Sequence, residues 1–122
     1  MLMGKPKILI IDDDGELCAE LSEFLTDEGY AVTCEGDPVK GDGLIRSGTY
    51  EAVLLDHKMS ALSGLDILRK LKADNIRKRI FILSGRPLIH RVLEEEGLMD
   101  MVSGIIQKPG DLSGIVDKIK IR

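Results

Sequence analysis

The sequence predicts an α/β fold: a single five-stranded parallel sheet, doubly wound by helices on both faces and built from five successive βα units. Three observations carry that prediction. Four short, nearly continuous apolar runs recur along the chain: KILII (Lys7 to Ile11), EAVLL (Glu51 to Leu55), RIFIL (Arg79 to Leu83) and GIIQ (Gly104 to Gln107). Runs of that kind suit strands buried on both faces of a parallel sheet. Segments with helical periodicity fill the gaps between them. The 122 residues contain no linker-like stretch, so residues 1–122 read as one domain with one sizeable core.

Each element can be justified in order. The first strand, Lys7 to Ile11, runs straight into Asp12, Asp13 and Asp14. Leu17, Leu21, Phe24 and Leu25 then fall on one helical face, and Gly29 stops that helix. YAVTCE, Tyr30 to Glu35, alternates more and predicts an edge strand. A second helix is expected over Asp37 to Ser47, weakened by Gly41 and Gly43, each costing about 1 kcal/mol against alanine. EAVLL leads to Asp56, and Gly64 opens a helix marked by Leu65, Leu68 and Leu71. RIFIL leads to Ser84 and Gly85. A helix is expected next over Arg86 to Glu96, with Pro87 in its first turn and Gly97 beyond its end. GIIQ leads to Lys108 and Pro109, and Leu112, Ile115, Val116 and Ile119 mark the last helix.

Composition narrows the class. With 43% hydrophobic and 31% charged residues the chain reads as soluble and globular. Its net charge of −4 argues against general affinity for nucleic acid or an anionic membrane. No window has the apolar run of a membrane span and no apolar signal segment opens the chain, so a cytoplasmic protein is expected. Cys18 and Cys34 lack CxxC or Cys/His spacing and are expected to be reduced core thiols. His57 and His90 have no metal-ligand spacing and are expected at the surface. Glu94 to Glu96 reads as a solvated helix face.

In a doubly wound sheet, ligands bind beyond the carboxyl ends of the strands. That rule gathers Asp12 to Asp14, Asp56, Ser84 and Lys108 on one rim. One aspartate there has an ordinary use as a helix cap. Three need another reason, because two carboxylates ~4 Å apart at an effective dielectric near ~20 repel by ~4 kcal/mol. A cation removes that penalty, and an all-oxygen ligand set with room for water and a phosphoryl oxygen favours Mg²⁺. A central carboxylate can then attack phosphorus, with Mg²⁺ and a lysine neutralising the equatorial oxygens.

These residues, in this order and spacing, resemble the receiver domain of two-component response regulators. The matched features are the acidic pair after the first strand, Asp56, Met59 and Gly64 as DxxM with a glycine beyond, the hydroxyl of Ser84, and Lys108-Pro109. The resemblance covers essentially the whole chain and implies the CheY-like, flavodoxin-like strand order 2-1-3-4-5. It implies that Asp56 is the phospho-acceptor. Asp13 would bind Mg²⁺ directly, Asp12 would bind it through water, and Lys58 would offer its backbone carbonyl. Ser84 would bond one phosphoryl oxygen and Lys108 another, and Pro109 would follow a cis peptide. Asp14 is left over as a helix-start residue. The partners implied are a sensor histidine kinase or a phosphotransfer protein, and a downstream protein target, with no direct contact to nucleic acid or membrane. Such a chain is not an enzyme in the ordinary sense, since it catalyses only its own phosphorylation and dephosphorylation. Phosphorylation would draw Ser84 inward and shift the surface around the fourth strand, fourth helix and fifth strand.

Several residues depart from the family pattern. Ser60 stands where a proline is usual, Ile105 where many members carry a tyrosine or phenylalanine, and Gly110 where phenylalanine is frequent. Lys58 and Arg86 occupy positions that tune phosphoryl lifetime in the family. Ser60 and Ile105 keep open a pseudo-receiver, an interaction module of the same fold that is not phosphorylated. Asp12-Asp13-Asp14-Gly15 also fits the DxDG motif of haloacid dehalogenase-type phosphatases, with Asp12 as nucleophile. Against that reading, Glu16 stands where threonine or valine is expected, Asp111 and Asp117 form no late acidic pair, and Asp56 would go unused. The chain stops directly after its last helix, which fits a stand-alone receiver or a piece of a longer regulator.

Overall fold

A computed structural model describes residues 4–59, 62–108 and 112–120. The elements are β1 (Lys7–Ile11), α1 (Gly15–Asp27), β2 (Ala31–Glu35), α2 (Pro38–Ser47), β3 (Ala52–Asp56), α3 (Gly64–Ala73), β4 (Ile80–Ser84), α4 (Ile89–Glu95), β5 (Gly104–Gln107) and α5 (Leu112–Lys120), with a short 3-10 turn at Met99–Met101 before β5. All strand pairs are parallel and the order is β2-β1-β3-β4-β5. That is the doubly wound, flavodoxin-like arrangement.

The continuous apolar runs now have their explanation. Successive strand side chains point to opposite faces, and here each face carries its own core. Leu9, Ile11, Val53, Leu55, Ile80 and Ile82 pack against Ile45, Leu68 and Leu93 of α2, α3 and α4. Ile8, Ile10, Leu54, Phe81 and Leu83 pack against Leu21 and Leu25 of α1 and Ile115 and Ile119 of α5. A strand between two helical layers cannot afford a polar side chain on either face until its end, which is where the chain places them. β2 is an edge strand, as its alternation predicts. β5 is the other edge, and of GIIQ only Ile106 is fully buried, because a strand with one neighbour is covered less completely.

Local caps set the strand-to-helix turns at the site's rim. Asp14 caps α1, its carboxylate accepting from the backbone N–H groups of Glu16 and Leu17 at 3.1 and 3.2 Å. Asp37 does the same for α2 through Val39. α3 opens with a capping box: the Ser63 hydroxyl accepts from the Asp66 N–H at 3.1 Å while the Asp66 carboxylate accepts from the Ser63 N–H at 3.2 Å. No sequence reading of the helix start at Gly64 included that pair.

Three expectations need correction. The fourth helix does not span Arg86 to Glu96 but begins at Ile89, after a turn holding Arg86 and Pro87, and ends at Glu95. Leu88 sits at its N-cap position and has no side chain able to accept a backbone N–H there. Cys34 is not in the core: it lies exposed on edge strand β2, whereas Cys18 is buried. His57 is not at the surface but 8% exposed, because it follows a strand covered on both faces. Ser60, Pro109 with its expected cis peptide, Gly110 and Asp111 lie outside the described residues. Among the described residues, no helix is long and apolar enough to cross a membrane.

Candidate functional site

Parallel strands bring their carboxyl ends to one edge of the sheet, and the polar strand-end residues meet there. Asp12 follows β1, Asp56 closes β3, Ser84 closes β4 and Lys108 follows β5. Strand register fixes their heights, since Ile11 pairs with Leu55, Asp56 with Leu83 and Ser84 with Gln107. Backbone bonds extend the frame past the strands: the His57 N–H donates to Leu83 O at 2.9 Å and the Lys108 N–H to Ser84 O at 2.8 Å. The residues expected from the sequence, Asp12, Asp13, Asp56, Lys58, Ser84 and Lys108, all line one pocket of about 350 Å³.

Its centre is a lysine bridging two carboxylates. Lys108 Nζ lies 2.7 Å from Asp12 Oδ2 and 2.9 Å from Asp56 Oδ1. Asp12 is 1% exposed and Asp56 5%, so both charges are held out of bulk water. The Asp14 backbone N–H gives Asp12 a further bond at 3.0 Å. Burial, and then the Asp12 charge, push the Asp56 carboxyl above its ordinary range, against the hydrogen bond from Lys108 that holds it down. Burial works to lower the Lys108 ammonium, but its bonds to Asp12 and Asp56 outweigh that and hold it above the usual lysine range.

Carboxylate oxygens of Asp12, Asp13 and Asp56 lie within 4.8 Å of one another, with Asp13 exposed and the other two buried. Lys108 bridges two of the three carboxylates, and Lys58 and Arg86 line the same pocket. The donor set is oxygen only, it opens to solvent on the Asp13 side, and it contains no thiol or imidazole ligand. Those features fit a hard divalent cation that keeps part of its water, as Mg²⁺ does.

Ser84 is 1% exposed, and its Oγ accepts from the Arg86 backbone N–H at 3.0 Å, leaving its own proton to donate. The Cys18 thiol donates to the backbone carbonyl of Asp12 at 3.6 Å, and burial first of all pushes that thiol up to about 12. It is therefore a structural thiol beneath Asp12. His57 also lines the pocket, which sequence reasoning missed. Burial, then the charges of Arg86 and Lys58, hold its imidazole below the ordinary histidine range.

Gly64 has a steric role here. A Cβ built on it would stand 2.3 Å from the Asp56 carbonyl oxygen and 3.1 Å from its carbonyl carbon. The Gly64 N–H donates to His57 O at 3.0 Å, so the start of α3 lies directly against the backbone of the central acid.

The family model described as response regulator receiver domain matches residues 8–120. The chain is 28% identical over 125 residues to the uncharacterized transcriptional regulatory protein YkoG of Bacillus subtilis, covering 97% of this chain and 51% of that protein. It is 29% identical over 119 residues to the chemotaxis protein CheY of Pseudomonas aeruginosa, covering 93% of each. It therefore spans about half the length of YkoG and nearly all of that CheY. Among solved structures, the receiver domain of the Francisella response regulator 1452 superposes with a TM-score of 0.84 at 25% identity, covering 95% of this chain and 94% of that one.

Proposed function

We propose, from the premise that this chain belongs to the response regulator receiver domain family, that it is a phospho-acceptor module of two-component signalling in which Asp56 receives the phosphoryl group. The observation that carries this is the bridge of Lys108 to both Asp12 and Asp56 at the strand ends. A phosphatase using Asp12 would have no use for the Asp56 arm of that bridge.

The donor is a phosphohistidine of a sensor kinase or phosphotransfer protein. An Asp56 carboxylate oxygen attacks phosphorus in line with the departing imidazole nitrogen. The P–N bond breaks as the P–O bond forms, and the freed imidazole takes a proton from solvent. Asp13 would hold Mg²⁺ directly, Asp12 would do so through water, and Asp56 and the Lys58 backbone carbonyl would complete the protein's share. When bound, Mg²⁺ supplies positive charge to the phosphoryl oxygens. Lys108 gives up part of its hold on the carboxylates to pair with a second phosphoryl oxygen. The Ser84 proton, not used within the described residues, is available for a third. Ser84 and Lys108 would then draw on the ends of β4 and β5, and the population shifts toward a second arrangement of that face. Ile105, half-buried on β5, replaces the aromatic rotor of many relatives, so the shift here runs through aliphatic packing. The output is a contact with another protein, in a cytoplasmic setting and without direct contact to nucleic acid.

Intact mass after incubation with acetyl phosphate and Mg²⁺ tests the acceptor. One phosphoryl group is expected on the unaltered protein and none on Asp56→Asn. Turnover of acetyl phosphate that needs Asp12 and ignores Asp56 would instead mean a phosphatase, and no adduct with no turnover a pseudo-receiver. Calorimetric titration with Mg²⁺ tests the metal site separately. A single binding event is expected, lost in Asp13→Ala; equal binding by that variant would remove Asp13 from the site.

A further inference from the structure

Cys18 and Cys34 take no part in the phosphoryl chemistry, yet the fold sets them against each other beside the acids. Cys34 pairs in register with Ile10, and residues paired across neighbouring strands share a face of the sheet. Ile10 belongs to the core under α1, so Cys34 points toward that helix, although its place near the end of edge strand β2 leaves it exposed. Cys18 lies in the first turn of α1 and is 6% exposed. The Cys34 thiol donates to the Cys18 carbonyl at 3.4 Å. A hydrogen bond between the two side chains is also among the causes that raise the Cys18 thiol. The two thiols are thus in contact, one sulfur open to solvent and the other covered.

The covered sulfur is tied to the acid cluster. Its S–H donates to Asp12 O at 3.6 Å, and the Asp12 N–H donates to Glu35 O at 3.1 Å. The backbone of that acid is therefore held between the end of β2 and the Cys18 thiol. Both cysteines line one pocket of about 400 Å³ with Asp12 and Asp13, where Gly15, Ala19 and Gly36 add little bulk. A small reagent can reach Cys34 there, and the two acids favour a cationic one over an anionic one. A sulfur in a disulfide carries no proton, so linking the two cysteines removes the donor to Asp12 O.

We propose that Cys34 and Cys18 form a thiol modification site: a low-molecular-weight disulfide oxidises Cys34, Cys18 resolves the adduct into a Cys18–Cys34 cross-link, and loss of the thiol bond loosens Asp12 and weakens Mg²⁺ binding. The effect on Mg²⁺ rests on the acid cluster being a metal site; the cross-link does not. The Cys34 thiolate attacks one sulfur of the reagent, whose S–S bond breaks and releases one thiolate. The Cys18 sulfur then attacks Cys34, the mixed disulfide breaks, and a second thiolate leaves. Two cysteine thiols are oxidised, one reagent disulfide is reduced to two thiols, and the two cysteine protons go to the leaving thiolates. Burial shields Cys18 from reagents in solvent, but its attack on an adjoining sulfur is intramolecular and needs no encounter.

Cystamine, a cationic disulfide, is the probe. After quenching in acid, the intact mass of the unaltered chain is expected to fall by two hydrogen atoms with no adduct, and a peptide map to join the segments holding Cys18 and Cys34. Cys18→Ser, which cannot resolve, is expected to keep one cysteamine on Cys34, and Cys34→Ser to stay unmodified over the same period. An unaltered chain that keeps the adduct, joins to a second chain or does not react would overturn the cross-link, as would a Cys34→Ser variant modified as fast as the parent. Calorimetric titration with Mg²⁺ is expected to show roughly two- to tenfold weaker binding by the cross-linked protein than by the reduced one. A thiol reductant is expected to restore the affinity. Equal affinity in the two forms would overturn the coupling to Asp12. No binding by the reduced protein would overturn the metal reading and the coupling with it, while the cross-link is still decided by mass.

Discussion

Replacing Gly64 with alanine is expected to lower stability by about 3 kcal/mol and to slow phosphorylation of Asp56. Helix propensity alone predicts the opposite sign, since alanine is favoured over glycine in a helix interior by about 1 kcal/mol. Contact decides it. The added carbon would meet the Asp56 carbonyl oxygen at 2.3 Å, and that neighbour is backbone, which cannot turn aside as a flexible side chain can. Relief requires α3 to withdraw or the end of β3 to move, and either displaces the Asp56 carboxylate. A thermal melt and a phosphorylation time course read the two effects together. An alanine variant as stable as the parent would show that the start of α3 has slack the packing denies.

Lys108→Ala is expected to cost about 3 kcal/mol, the low end for breaking a buried ion pair because the lysine side chain keeps 25% of its exposure. Removing the ammonium leaves Asp12 and Asp56 facing each other without compensation. Asp56 then loses the bond that holds its pKa down, so it rises further. A group whose folded pKa lies above its unfolded value favours the fold while protonated, and that contribution is lost as pH rises through the folded pKa. The deficit of the variant should therefore be smallest in acid and largest at neutral pH. Mg²⁺ should recover part of it by binding the folded state. Urea midpoints at acid and neutral pH, with and without Mg²⁺, measure all of this. A deficit independent of both would mean that lost packing of the lysine stem, and not charge, is responsible.

The fold was legible because two-sided burial writes itself as unbroken apolar runs, and the sequence places a polar residue only where a strand leaves the core. Asp12, Asp56, Ser84 and Lys108 could be located for that reason, without any knowledge of neighbours. His57 could not. Its neighbours in the chain, Asp56 and Lys58, are charged, and nothing local says that the core continues one residue past the strand. Cys34 failed in the other direction, since a thiol on an edge strand has the same letter as one in the core. The late start of α4 was hidden by Pro87, which is equally acceptable in a first helical turn and in the turn before it. His57 Nε2 lies 3.4 Å from Arg86 Nη1, a contact between residues far apart in sequence, and only the packing of β3 beside β4 brings them together.

The ion pairs around α4 are unevenly placed. Arg69 reaches Glu96, Lys72 reaches the Gly97 carbonyl and Asp100, and Arg77 reaches Asp100, so α3 and the segment after it grip the trailing end of α4. The leading end, beside Ser84 and Arg86, has no side-chain cap, and Leu88 there is 57% exposed. α4 is thus tied by ion pairs at the end remote from the acids, while the end next to them is held by the buried Ile89 and has no side-chain cap. If Ser84 moves in the phosphorylated state proposed above, the first turn of α4 meets that movement through apolar packing alone, while the ion pairs hold the far end in register with α3.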